Sequence, residues 1–229
     1  MTAVTFDFGQ TLAELDSMML AARLAQRGIR VEPQRIDAEC LGAWSAYNGA
    51  KRGGAQGETA WKTFMRTLLA RSAVPEAAIP TLTDWLWTEQ PHRNLWRRPI
   101  PGMLDVAREL AGRAIPVGVL SNSEGRLREL VDELGWGDLF LAVVDSGCLP
   151  FEKPDPRIFA HAANALGVGI RSLIHIGDAW QADVRGALDA GARAIYFSPD
   201  APGELQGGVP CCHDVAGVRQ ALGEWGLLT

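Results

Sequence analysis

Apolar and polar positions along the chain fall into two rhythms. The opening run Ala3-Val4-Thr5-Phe6 is short and apolar and meets a turn-like segment, Phe8-Gly9-Gln10-Thr11-Leu12, the pattern of a buried strand. Beyond it apolar residues recur at helical spacing. Met18, Met19, Ala22 and Leu24 fit one helix ended by Gly28, and residues 36–47 fit a second. A glycine-rich break over 49–57 follows. Trp61, Phe64, Met65, Leu68 and Leu69 then mark an amphipathic third helix, and residues 79–87 a fourth. No strand is expected between Ala13 and Trp96. Trp44, Trp61, Trp85, Trp87 and Trp96 lie in this stretch and read as the core of a small bundle rather than a ligand cage.

Pro99-Ile100-Pro101-Gly102 is a stiff punctuation mark. After it, helices over 103–112, 125–134, 156–166, 182–190 and 215–222 alternate with strands over 115–120, 141–144, 172–176 and 194–197. Such alternation implies right-handed crossovers and a parallel sheet. The expected architecture is α/β, a doubly wound parallel sheet built from residues 1–14 and 97–229, with an inserted all-helical unit over 15–96 and hinges near 13–15 and 96–101.

Composition adjusts this picture in a few places. With 229 residues and 47% apolar content the chain can bury a sizeable core, and a net charge of −5 argues against a nucleic-acid partner. The charge is uneven: residues 51–98 carry eight basic side chains against four acidic ones, a net +4 against −9 elsewhere. A basic insert over an acidic site would attract a small anionic ligand, although most such charges are simply solvated. Cys40, Cys148, Cys211 and Cys212 have no zinc-ligand spacing, Cys148 reads as packed, and the set fits reduced thiols in a cytoplasmic protein. No signal-peptide pattern opens the chain and no apolar run approaches the ~20 residues that span a bilayer, so no membrane partner is expected. A homodimer is allowed by the sequence but not specified by it.

The chemistry gathers at strand ends. Asp7 follows the first strand, and Ile174-His175-Ile176-Gly177-Asp178 is a second apolar run ending in aspartate. Two strands that deliver carboxylates to one sheet edge suggest a divalent-metal site or an acid pair. Val117-Gly118-Val119-Leu120-Ser121-Asn122 ends a further strand in a hydroxyl and an amide. Glu152-Lys153-Pro154-Asp155-Pro156 brings an ammonium, and Asp183 follows Asp178 at the start of a helix. Plainer roles stand beside these: Asp7 could cap a turn, Ser121 could N-cap a helix starting near Glu124, and Asp183 could be an ordinary first-turn acid. His175 reads as a packed core imidazole and His161 as a surface residue.

Taken in order, with a helical insert between the first and second, the four segments resemble the motifs of the haloacid dehalogenase (HAD) superfamily, the first in the variant form Asp-Phe-Gly-Gln-Thr. The resemblance covers essentially the whole chain and implies a Rossmann-like core with a helical cap that closes over a small phosphorylated substrate. It implies that Asp7 is the nucleophile that forms an aspartyl-phosphate, and that Mg²⁺ is held by Asp7, the backbone carbonyl of Gly9 and Asp178, with Asp183 ordering the metal shell or Lys153. It further implies that Ser121 and Asn122 hold phosphoryl oxygens and that Lys153 stabilises charge.

One position departs from the pattern. The usual second aspartate, two residues after the nucleophile, is Gly9, so the general acid–base is missing and Gln10 stands where glycine is frequent. Three readings stay open. A Mg²⁺-dependent phosphohydrolase or phosphotransferase would need a leaving group that requires no proton, or a donor such as Glu14, Lys51 or His92. Carbon–halogen or carbon–phosphorus cleavage is a second, the latter with Lys51 as the amine. The third is a binding or regulatory module without useful turnover.

Overall fold

A computed structural model of the chain describes residues 1–55, 57–198 and 208–229. Gln56 and the side chain of Arg52, both inside the expected basic segment, lie outside the described residues. The chain forms two compact units, Met1–Glu14 with Trp96–Thr229, and Leu15–Leu95.

The first unit is an α/β layer structure. Its strands are β1 (Ala3–Phe6), β2 (Ala13–Leu15, whose last residue belongs to the second unit), β3 (Trp96–Pro99), β4 (Val117–Ser121), β5 (Ala142–Asp145), β6 (Leu173–Gly177), β7 (Arg193–Phe197) and β8 (Cys211–Cys212). Six of them form one sheet in the order β5-β4-β1-β6-β7-β8, and every pair is parallel. The helices of this unit are α5 (Met103–Gly112), α6 (Leu127–Glu133), α7 (Pro156–Ala165), α8 (Gly186–Asp189) and α9 (Val215–Glu224). Every residue of β1, β4 and β6 is buried, as expected for central strands covered on both faces. The strand order reverses around β1, which places the switch point of the sheet beside the residue that follows Phe6.

The second unit is helical: α1 (Ser17–Gln26), α2 (Pro33–Arg52), α3 (Gly57–Arg71) and α4 (Ile79–Glu89). Asp16 caps α1 by accepting the Met19 N–H at 2.9 Å. The aromatic residues pack on one another, with Trp44 against Phe64 at 4.4 Å between centroids and Trp61 against Trp87 at 5.3 Å. Much of the positive charge noted in the sequence is neutralised locally. Lys62 bridges Glu58 and Asp84, Arg71 meets Glu39, and Arg93 meets Glu89. In the α/β unit Arg97 meets Glu133 and Arg98 meets Glu14.

Several expectations need correction. The second helix runs from Pro33, whose fixed φ suits a first helical position, through Gly49 to Arg52, so the glycine-rich break is shorter than the composition suggested. A lone helical glycine costs only about 1 kcal/mol, which flanking alanines such as Ala46 and Ala50 help to offset. The segment expected as one helix over 182–190 is a π-helical turn, Trp180–Arg185, followed by α8. β2 and β3 form a two-stranded ladder where only hinges were expected, and β8 adds a two-residue edge strand. β2 and β8 are too short to show a period of their own, and β3 is a polar segment that ends in proline. Cys148 is exposed rather than packed, because it ends a surface turn after β5. Among the described residues no helix is long and apolar enough to cross a membrane.

Phe64 is 1% exposed and packs against Trp44 inside the bundle. Phe64→Ala should lower stability by about 3–5 kcal/mol, read as a fall in the urea midpoint.

Candidate active site

The sheet itself brings the candidate residues together. β1 lies between β4 and β6, with Phe6 in register with Val119 on one side and Ile176 on the other. The three chains therefore leave the sheet side by side: Asp7 one residue after β1, Ser121 as the last residue of β4, and Gly177-Asp178 at the end of β6. Asp7 is still tied to the ladder, its N–H donating to the Ile176 carbonyl at 2.8 Å.

Lys153 arrives from the segment between β5 and α7 and is only 2% exposed. Asn122 fixes it there: the Asn122 carboxamide accepts from the Lys153 N–H at 2.8 Å and donates to the Lys153 carbonyl at 2.9 Å. Its ammonium meets three acceptors, Asp7 Oδ1 at 2.6 Å, Asp183 Oδ1 at 2.6 Å and the Leu120 carbonyl at 2.8 Å. The Ser121 hydroxyl donates to the same Asp7 oxygen at 2.8 Å, so both donors converge on Oδ1.

Asp183 sits in the π-helical turn, a local widening of the helix that is common at functional sites. Its Oδ2 accepts the Ala179 N–H at 2.8 Å, and its Oδ1 takes Lys153 and, at 3.1 Å, His175 Nε2. This carboxylate packs directly on Gly177, where an added Cβ would stand 2.4 Å from Asp183 Cγ. Only glycine allows that approach.

The electrostatics follow from a simple count. Carboxylate oxygens of Asp7, Asp178 and Asp183 lie within 4.8 Å of one another, against one ammonium. Burial pushes Asp7 up from its ordinary value, the pull of Lys153 works against this, and Asp183 adds to it. Burial also pushes Asp178 well up, helped by Asp7 and Asp183. For Asp183 burial is outweighed by Lys153 and His175, which hold it well below the usual carboxylate range. Burial opposes the charge on Lys153, but Asp183 and Asp7 prevail and keep it protonated. Hard oxygen donors carrying excess negative charge make a group able to hold a divalent cation.

The turn after Asp7 is closed by Leu12 and Ala13 N–H groups on the Phe8 carbonyl. Gly9 lies in this turn with Trp96 beside it: a Cβ at residue 9 would stand 3.5 Å from Trp96 Cδ1 and 3.8 Å from Nε1, ordinary contact distances. Gln10 takes the left-handed conformation, φ 57°, that usually favours glycine.

Asp7, Ser121, Lys153, Asp178 and Asp183 thus come to one place, with Gly9 in the adjoining turn. The plainer role for Ser121 does not apply, since α6 starts at Leu127 with Arg126 as its cap residue. Asn122 is nearby, with its side-chain carboxamide committed to the main chain of Lys153. Glu14 pairs with Arg98 at 2.9 Å, while Lys51 and the exposed His92 belong to the helical unit. Sequence reasoning missed the Leu120 carbonyl, the Asn122 clamp and the Trp96 contact. A single sequence carries no mark of these, because each depends on three-dimensional proximity.

Gly177→Ala should therefore disturb the site out of proportion to its size. Overpacking of this kind costs about 1–3 kcal/mol, and the expected outcome is a lower melting temperature together with weakened divalent-cation binding by calorimetry.

Comparison with known proteins gives the family. A family model described as haloacid dehalogenase-like hydrolase matches residues 1–191. The chain is 25% identical over 211 residues to the haloacid dehalogenase-like hydrolase domain-containing protein 3 of Mus musculus, covering 88% of this chain and 84% of that protein. It is 32% identical over 155 residues to a phosphoserine phosphatase of Thermus thermophilus, covering 67% and 61%. The crystal structure of a 2-haloacid dehalogenase from Pseudomonas syringae pv. tomato superimposes with a TM-score of 0.62 at 21% identity, covering 98% of this chain and 99% of that one, which speaks for the fold alone. The chain belongs to the haloacid dehalogenase-like hydrolases, and on that membership it is a hydrolase.

Proposed function

We propose that this protein is a Mg²⁺-dependent phosphohydrolase or phosphotransferase that acts on a small phosphorylated metabolite through an aspartyl-phosphate on Asp7. The observation that carries the reading is the charge count: Asp7, Asp178 and Asp183 share one small volume with a single ammonium, Lys153. Displacing halide from carbon needs no cation, and two further acids beside the nucleophile would only handicap it by raising its pKa. Phosphoryl transfer to a carboxylate, by contrast, requires that the repulsion between two anions be neutralised. The phosphatase relative points the same way.

In this reading Asp7, Asp178 and the Gly9 carbonyl would hold Mg²⁺, which would neutralise charge between the carboxylate and the phosphoryl group. Asp183, whose oxygens are already engaged by Lys153, His175 and the Ala179 N–H, orders Lys153 and the metal surroundings. Asp7, bonded at Oδ1 by Ser121 and Lys153, is the attacking carboxylate. It forms the bond to phosphorus as the bond to the leaving oxygen breaks. The Lys153 ammonium, with backbone N–H groups near Ser121, would stabilise the charge that develops on the phosphoryl oxygens. Water then cleaves the acyl phosphate and regenerates Asp7.

With Gly9 in place of an acid, the leaving oxygen departs without a carboxylic proton from that position. Loss of a positioned acid–base costs on the order of 10²–10⁴ in rate, least for acyl and aryl phosphates, whose leaving groups are stable as anions. The missing acid also favours a second reading, a binding module that takes Mg²⁺ and a phosphate-like anion without useful turnover.

A panel of acyl, aryl, sugar and alkyl phosphates assayed with Mg²⁺ tests the choice. Turnover that falls steeply as the leaving-group pKa rises, is lost with chelator and vanishes in Asp7→Asn supports the enzyme. In Gly9→Asp the slope should flatten and alkyl esters gain most. Tight binding of a phosphate analogue with no turnover of any ester would favour the binding module, and turnover unchanged in Asp7→Asn would remove Asp7 from the chemistry.

The raised carboxylates give a second expectation. In the metal-free fold Asp7 and Asp178 keep protons above 3.8, where the unfolded chain has lost them, so stability falls as pH rises through that window. Asp183 has the opposite sign, but its window lies below 3.8. Mg²⁺ replaces those protons, so its stabilising effect should grow from pH 5 to pH 8. At a hundredfold excess over Kd it is worth about 2.7 kcal/mol, or roughly 5–10 °C in melting temperature, measured by thermal unfolding with and without Mg²⁺.

A further inference from the structure

His175 lies in the interior of β6, where its strand neighbours Ile174 and Ile176 are aliphatic, and it is fully buried. A buried polar ring in a central parallel strand is destabilising unless its nitrogens are satisfied. Both are. In the β1–β6 ladder His175 is the direct partner of Thr5, whose hydroxyl lies 3.0 Å from Nδ1. Nε2 lies 3.1 Å from Asp183 Oδ1. Asp183 is held ionised by Lys153 and can only accept, so Nε2 carries the proton and Nδ1 accepts from Thr5. Phe159 packs edge-on against the ring, 5.5 Å between centroids at 76°, and restricts its rotation.

The Nε2–H is thus directed at the carboxylate oxygen that also receives Lys153, and Lys153 in turn donates to Asp7. We propose that His175 is a positioning residue, which fixes the orientation of Asp183 and through it the placement of the Lys153 ammonium against the nucleophile. It acts two residues removed from Asp7 along the sequence of contacts His175–Asp183–Lys153–Asp7 and touches no reacting atom. The inference rests on the assignment of Asp7 as the attacking group and adds to it a residue that supports the site from beneath.

Two amides separate this role from simple packing. In His175→Gln the carboxamide nitrogen falls where Nε2 was and can still donate to Asp183, whereas in His175→Asn it falls near Nδ1 and stops short. Both place a buried amide in the same strand, so a purely structural role would impair them alike. The expected result with an aryl phosphate and Mg²⁺ is a kcat reduced 10–100-fold in His175→Asn, with KM within about twofold. His175→Gln should keep kcat within about fivefold of the parent, on the scale of one retained hydrogen bond. A readout free of turnover accompanies it: the ¹H–¹⁵N cross-peak of the Lys153 ammonium, assigned by its loss in Lys153→Arg, should persist in His175→Gln and broaden away in His175→Asn. Equal loss of kcat in the two variants, or an unchanged Lys153 cross-peak in His175→Asn, would overturn the proposal. If the parent protein turns over no phosphate ester, the proposed function fails, and the cross-peak comparison still decides the role of His175.

Discussion

The structure around the site depends on satisfying one buried ammonium. Lys153 is almost wholly removed from water, and an ammonium carries three N–H donors that must each find an acceptor. Removing an ion from water carries a penalty of several kcal/mol even after relaxation. The sequence meets it with Asp7, Asp183 and the Leu120 carbonyl, drawn from the ends of three different segments. Each acceptor then imposes its own requirement. Asp183 must approach Gly177 closely, the π-helical turn must widen to let it do so, and Asn122 must hold the Lys153 main chain at the right height.

The same count of charges links structure to reaction class. The fold is shared by a 2-haloacid dehalogenase, and a phosphoserine phosphatase is a sequence relative, so the fold by itself does not select a reaction. Selection lies in what surrounds Asp7. One lysine beside one aspartate is a neutral pair, while one lysine among three aspartates leaves negative charge that the buried environment resists. The raised Asp7 and Asp178 express that resistance in protons. In the proposed reading a divalent cation would relieve it and would also prepare the Asp7 carboxylate to meet an anionic substrate.

Much of the fold was legible because long elements carry their period. The strands bearing Asp7, Ser121 and Asp178 and helix α5 were read close to their observed bounds, and the parallel sheet followed from their alternation with helices. What escaped were features without an apolar run or period: β2 with three residues, β3, whose Trp-Arg-Arg-Pro is polar and ends in proline, β8 with two, and the π-helical turn, whose sequence Trp180–Arg185 looks like the start of an ordinary helix. In the site, residue types announced the acids and the lysine. The second task of Asn122 and the orientation of His175 did not show, because they arise from which loop faces which strand, and no local rule encodes that.

Gly9 invites one last consequence. Its backbone is not in the left-handed region, and a Cβ there would meet Trp96 at ordinary contact distance, so folding does not demand glycine at this position. That differs from Gly177, which the geometry does not permit to change. Glycine and aspartate codons can differ by a single base. A site with a carboxylic acid at residue 9 and one without it are therefore neighbours in mutational space, one base apart on a backbone that has room for the side chain's first carbon.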